Sequence, residues 1–238
     1  MGTSIGTDIL VVTAHPDDVD FGAGGSVAAW CQEGSKVSYC IVTDGDAGGD
    51  DRSVPRDLMR SIRQAEQQAA GAVLGVSDIH FLGYPDGRLM VDIALRRDIS
   101  RVIRQLRPKR VVCQSPERNW SRIFASHPDH LAAGEAALCA VYPDARNPFA
   151  HPELLTEEGL EPHTVEEVWV MAWNNADIWV DVTDTFELKL KALREHKSQV
   201  GEGAELEGML RPNLERHART GGLPAGRLAE GFMRVKTG

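Results

Sequence analysis

The chain has 238 residues, 42% hydrophobic and 26% charged, with a formal net charge of −9. That composition supports a sizeable buried core in one large folded unit. The acidic balance argues against nucleic acid or an anionic membrane surface as the main partner, and no apolar run approaches the ~20 residues that span a bilayer.

Residues 8–13 are short, apolar and β-branched, and read as a buried strand. Residues 24–33 read as a helix closed by Gly34, and 36–43 as a second strand. The Gly- and Asp-rich stretch 44–53 reads as a mobile loop. Pro55 opens a long helix to Leu74, with Gly75 closing it. A third strand spans 78–82, a turn 83–87, a helix 91–106, a fourth strand 110–114, a long loop 115–126 and an Ala-rich helix 129–141. The proline-rich segment 143–162 reads as a surface excursion. Residues 167–172 and 178–182 read as strands, close enough for a hairpin around a turn at Asn174-Asn175. Asp184 or Thr185 caps a helix to about residue 198, and 201–238 reads as helical in patches broken at Pro212 and Pro224.

Alternating strands and helices over the first 140 residues imply a Rossmann-like, doubly wound α/β fold. The expected arrangement is three-layer α/β/α, its sheet mostly parallel with an antiparallel edge. Residues 1–238 are taken as a single domain, with a catalytic core at about 8–142 and a C-terminal helical extension at about 184–238. Cys31, Cys40, Cys113 and Cys139 form no CxxC pair and lie in apolar contexts, so reduced thiols in the cytoplasm are expected. The first residues lack the basic and apolar regions of a signal peptide.

Chemistry concentrates in two clusters. The run Ala14-His15-Pro16-Asp17-Asp18 directly follows the first strand, and Ser126-His127-Pro128-Asp129-His130 follows the fourth. If both strands are parallel, both clusters emerge at the carboxyl edge of the sheet, where open α/β folds bind ligands. His15, Asp18 and one histidine of the second cluster would then form a two-histidine, one-carboxylate metal site. Three protein ligands leave a position for water, as in catalytic zinc. Asp17 would lie beside that water as a general base. The remaining histidine is free to stabilise an oxyanion, as a cation, or to protonate a leaving amine. Together these specify metal-assisted hydrolysis of an amide or ester. The glycines at 22–25 lack G-x-G-x-x-G spacing, which turns the reading away from dinucleotide binding and toward close helix packing.

At these residues the sequence resembles the LmbE-like, PIG-L family of zinc-dependent N-deacetylases, whose signatures are A-H-P-D-D and a later H-x-x-H. The resemblance spans roughly residues 8–142. It implies His15, Asp18 and His130 as metal ligands, Asp17 as base, and His127 as the partner of oxyanion and leaving amine, oriented by Asp129. It extends to Arg63 and Glu66, matching an R-x-x-E helix, and to Pro85-Asp86-Gly87. Arg63 and Asp86 are thereby implied as substrate contacts. The implied substrate is a small N-acetyl sugar conjugate, the cofactor Zn2+, with Fe2+ or another divalent metal as the option. A homo-oligomer stays open on the same ground. One departure is Val19, where many members carry a glutamate; Asp20 is a partial replacement.

Other readings compete. The metal site could hydrolyse another small amide or acyl conjugate. Two histidines and a carboxylate also serve non-haem iron oxygenases, though those are usually all-β. A non-catalytic metal- or sugar-binding module would not need Asp17. Asp44, Asp46, Asn119 and Trp120 are lesser candidates for lining the pocket. His151, His163, His196 and His217 are read as surface or packing residues without a carboxylate partner.

Overall fold

The first strand, β1 (Ile9–Thr13), is buried along its whole length in the middle of the sheet. Its alternating side chains feed two separate cores: Ile9 and Val11 on one face, Leu10 and Val12 on the other. A computed structural model describes residues 6–172 and 175–237. After β1 come α1 (Asp18–Gln32), β2 (Val37–Thr43), α2 (Arg56–Leu74), β3 (Asp78–Tyr84), α3 (Ile93–Leu106), β4 (Arg110–Cys113) and α4 (Pro128–Cys139). The second half comprises α5 (Pro152–Thr156), β5 (Glu167–Met171), β6 (Ile178–Asp181), α6 (Phe186–Glu195), α7 (Lys197–Val200), α8 (Leu206–Thr220) and β7 (Ala229–Lys236).

The sheet order is β3-β2-β1-β4-β5-β7-β6. The first five strands are parallel, and β7 runs antiparallel to both β5 and β6. The expected α/β sheet with an antiparallel edge is present, in three layers. One apolar core lies under α3 and α4, a second under α1 and α2, and a third joins α6 and α8 to Val182 and Leu228.

Several local expectations are corrected. β5 and β6 are not a hairpin, because β7 lies between them. The tail is therefore not helical to its end. The alternation from Phe232 to Lys236, with Arg234 and Lys236 exposed, carries that strand in the sequence. Helix α1 begins at Asp18, not at Gly24, so its first turn lies within the first cluster. Pro212 does not break the tail but sits inside α8, where lost helix bonding is set against burial of Leu206 and Leu214 in the third core.

Glycines let the helices press onto the framework of the site. A Cβ on Gly25 would lie 2.7 Å from Val182 Cβ, and one on Gly134 would lie 2.3 Å from the Gln114 carbonyl oxygen. The second obstacle is backbone and cannot turn aside. Gly134→Ala is expected to destabilise the protein by about 1–3 kcal/mol, measured by urea unfolding; an unchanged midpoint would refute this account of α4 packing. Among the described residues no helix is long and apolar enough to cross a membrane. All four cysteines are unpaired.

Candidate active site

β1 and β4 are hydrogen-bonded neighbours in parallel register, Val12 facing Cys113. The segments that follow them leave the sheet at one edge. The side chain of Gln114, just past β4, accepts from the Ala14 backbone N–H at 2.8 Å and fixes the start of the first cluster. Thr43, ending β2, donates its N–H to Ala14 O at 2.7 Å. Asp18 and Asp20 occupy the first turn of α1, where the helix end favours negative charge. The second cluster opens α4: His127 is its N-cap, its Nδ1 accepting the Asp129 N–H at 3.2 Å, and Pro128 follows in the first turn.

This arrangement brings His15, Asp18 and His130 together. His15 Nδ1 lies 3.1 Å from His130 Nε2 and 3.3 Å from Asp18 Oδ2, and His130 Nε2 lies 3.1 Å from Asp18 Oδ1. A tetrahedral ion with bonds of about 2.0–2.1 Å separates its ligands by roughly 3.4 Å. The donors already stand at nearly that spacing, so the residues fit a small divalent ion. Two other donor groups fall within 4.8 Å, His15–His127–His130 and His15–Asp86–Asp129. The carboxylates of the latter are already engaged. Asp129 accepts from Gly87 N at 2.7 Å and Leu89 N at 3.1 Å, and Asp86 accepts from Ala47 N at 3.2 Å. Both also face His15 Nε2, Asp86 at 3.1 Å and Asp129 at 3.3 Å. They act on the far side of the imidazole, where outer carboxylates orient a ligand ring.

Asp17 sits between Pro16 and Asp18 with φ 95°, a left-handed conformation uncommon outside glycine. Its carboxylate meets Arg63 Nη2 at 3.1 Å. Arg63 also donates to Pro16 O, and to Gly45 O at 3.0 Å. Only 4% exposed, it is covered by the loop after β2. That loop is pinned rather than loose. Asp44 pairs with Arg60 at 2.6 Å, Asp46 pairs with Arg56 at 2.8 Å, and Asp46 also accepts the Asp86 N–H.

The charges reinforce one another. Burial would strip the proton from His15, but Asp129, Asp18 and Asp86 outweigh it and push the ring up to about 12. Burial also opposes charge on Asp18, yet His130 and His15 hold it well below the usual carboxylate range. The carboxylate of Asp18 in turn raises His130 against its own burial. A cluster that grips positive charge this firmly is suited to a cation. Asp17 differs: burial and then the neighbouring Asp18 push it up to about 7, against the pull of Arg63. His127 is held below the ordinary histidine value by burial and by His15. With its Nδ1 accepting from Asp129 N, a neutral His127 carries its proton on Nε2.

Several expectations shift. The side chain of Asp129, expected to orient His127, serves His15 instead, and only the Asp129 backbone meets His127. Arg63 and Asp86, expected to contact substrate, are buried and turned toward Asp17 and His15. Val19 is fully buried in an apolar core, with no role at the donors. His196 and His151 do have carboxylate partners, Asp20 at 2.8 Å and Asp144 at 3.3 Å. The sequence hid both pairs, because neither histidine has the partner in its own motif. Trp120 is 82% exposed on a loop whose Asn119 N–H donates to Ser126 Oγ, next to His127. Asn174, read as part of a turn, lies outside the described residues.

Residues 10–141 match the model of the PIG-L family, described as GlcNAc-PI de-N-acetylase. The chain is 33% identical over 194 residues to a diacetylchitobiose deacetylase of Thermococcus kodakarensis, covering 82% of this chain and 70% of that one. It is 30% identical over 198 residues to a probable N-acetyl-alpha-D-glucosaminyl L-malate deacetylase 2 of Bacillus cereus, covering 80% and 83%. Among solved structures, the N,N'-diacetylchitobiose deacetylase from Pyrococcus horikoshii, complexed with an inhibitor, superposes with a TM-score of 0.88 at 29% identity. That match covers 98% of this chain and 85% of the other.

Proposed function

Since the chain belongs to the PIG-L family, we propose that it is a zinc-dependent deacetylase that hydrolyses the acetamide of an N-acetylglucosamine-type conjugate. What carries this proposal is a carboxylate, Asp17, beside donors spaced for one ion: His15, Asp18 and His130. The relatives' names share N-acetylated glucosamine and differ in what is attached to it, which supports the sugar as the common element. Unpaired cysteines support a reducing, cytoplasmic setting.

His15 Nδ1, Asp18 and His130 Nε2 would hold the ion, with Fe2+ an alternative to Zn2+. When bound, such an ion acidifies water and polarises a carbonyl. Asp86 and Asp129 accept from His15 Nε2–H and keep its other nitrogen free to ligate. Asp17 takes a proton from the attacking water, and Arg63 holds its carboxylate in position. The Nε2–H of His127 donates a hydrogen bond to the oxyanion, and the proton that Asp17 has taken passes to the departing amine nitrogen. Hydrogen bonding to the oxyanion uses the neutral ring, not the cation expected from sequence.

Purified protein is expected to release acetate from N,N'-diacetylchitobiose or from another N-acetylglucosaminide. Chelation should abolish the release and Zn2+ restore it. Undiminished activity in metal-stripped protein would refute the metal mechanism. Absence of turnover across N-acetylglucosaminides, with one ion bound, would refute the substrate class.

The pH dependence has a defined sign. A base must be deprotonated, so kcat rises with pH through the Asp17 pKa and levels off above it. Burial and Asp18 place that pKa at about 7, and the charge of a bound ion lowers it further, so the acidic limb is expected at or below pH 7. Arg63→Gln removes a cation that favours the carboxylate and should move this limb to higher pH. Superimposable pH profiles for the two proteins would count against Arg63 as the partner of the base.

A further inference from the structure

We infer that Gln67, Asp20 and His196 form a buried positioning column that sets the backbone of Asp17 and so aims its carboxylate. This rests on the proposal that Asp17 is the base. The column begins at the Asp17 N–H, which donates to Gln67 Oε1 at 2.8 Å. At its other end the Gln67 amide donates from Nε2 to Asp20 Oδ2 at 2.9 Å. The same oxygen faces His196 Nε2 at 2.8 Å. Gln67, Asp20 and His196 are each fully buried.

The chemistry gives the column a direction. A side-chain amide has one donating and one accepting end. The Asp17 N–H can only donate, so it takes Gln67 Oε1 and leaves Nε2 to face the Asp20 oxygen. His196, at the junction of α6 and α7, holds Asp20 in that place. Arg63 lies one turn before Gln67 on the same face of α2. It grips Pro16 O and the Asp17 carboxylate, while Gln67 grips the Asp17 amide. Left-handed backbone at a non-glycine residue persists only when its surroundings over-determine it. The two contacts from α2 meet that condition. They also explain Asp20, which the motif left unplaced: it faces away from the donors and acts through Gln67.

The test reverses the polarity of one link. Gln67→Glu sets a second carboxylate against Asp20, while Asp20→Asn alone keeps an oxygen that can accept from Gln67 and serves as the second parent. The double variant Gln67→Glu/Asp20→Asn rebuilds the link with its direction inverted. The introduced carboxylate accepts from both the Asp17 N–H and the introduced amide, and His196 answers by carrying its proton on Nδ1. Gln67→Glu is expected to lower kcat by roughly 10- to 100-fold, with KM for the N-acetyl sugar and bound zinc unchanged. The double variant should return to within about threefold of wild type. Hydrogen exchange at the Asp17 amide provides a readout independent of turnover. It should be slow in wild type, fast in Gln67→Glu and slow again in the double. Gln67→Met, neutral and of similar volume, replaces a charged single that fails to fold and should show the same loss. Wild-type kcat in folded Gln67→Glu overturns the proposal, as does a double variant no faster than Gln67→Glu. If the wild type deacetylates nothing, the functional proposal fails, and amide exchange alone decides the column. Protection lost in Gln67→Glu and regained in the double supports it; protection unchanged across the set overturns it.

Discussion

Asp17→Asn is expected to lower kcat by about 10²- to 10⁴-fold, with KM and metal content close to wild type. The substitution keeps the size of the side chain and an oxygen for Arg63, which lies 3.1 Å from the carboxylate. It removes only the ability to take a proton. The donors assigned to the ion are His15, Asp18 and His130, whose mutual contacts do not include Asp17. Loss of turnover with retained metal would separate a base from a ligand. Loss of both would assign Asp17 to the ion instead, and a kcat within about threefold of wild type would remove it from the chemistry. Steady-state acetate release and metal analysis of the same preparation decide between these outcomes.

Lys189→Met is expected to destabilise the fold by about 3–5 kcal/mol, lowering the unfolding temperature by roughly 10 °C. Lys189 is fully buried and Glu230 nearly so. Its Nζ donates to Glu230 Oε1 at 2.6 Å and to Phe21 O at 2.7 Å. Glu230 also accepts the Gly25 and Ser26 N–H groups, at 3.1 and 2.7 Å. Methionine fills the volume but leaves the Glu230 charge buried without a counter-charge. Adding Glu230→Gln should recover most of the loss, because the uncompensated charge disappears while an oxygen remains for the α1 amides. Calorimetry of the single and double variants tests this. A shift below about 1 kcal/mol in the single would mean that the pair carries little of the fold.

Much of the architecture was legible because its signals are local. The apolar run 9–13, the two His-Pro-Asp clusters and the parallel order of the early strands all follow from short windows. Their convergence needed only the rule that parallel strands share a carboxyl edge. What escaped was set by long-range packing. The start of α1 was obscured by glycines that serve contacts with packing neighbours such as Val182, just past β6. The orientation of Asp129 toward His15 could not be read from its adjacency to His127, since sequence neighbours at a helix start point in different directions. Asp20 and His196 are 176 residues apart and Lys189 and Glu230 are 41 apart, and no motif links either pair. Burial of Arg63 depends on how the loop after β2 folds back, which composition alone does not encode.

The position of β7 governs the timing of synthesis. β5 ends at Met171, but its outer neighbour is β7, which ends at Lys236. At about 5–20 residues per second, several seconds pass between translation of the two. During that interval β5 presents an open hydrogen-bonding edge, and β6, whose sheet partner is β7, has nothing to dock on. Glu230 is made with β7, so Lys189 waits for its counter-charge too. The parallel half of the sheet can assemble on the ribosome, whereas the helix bearing Asp18 and Asp20 receives its Glu230 anchor only once β7 has been made.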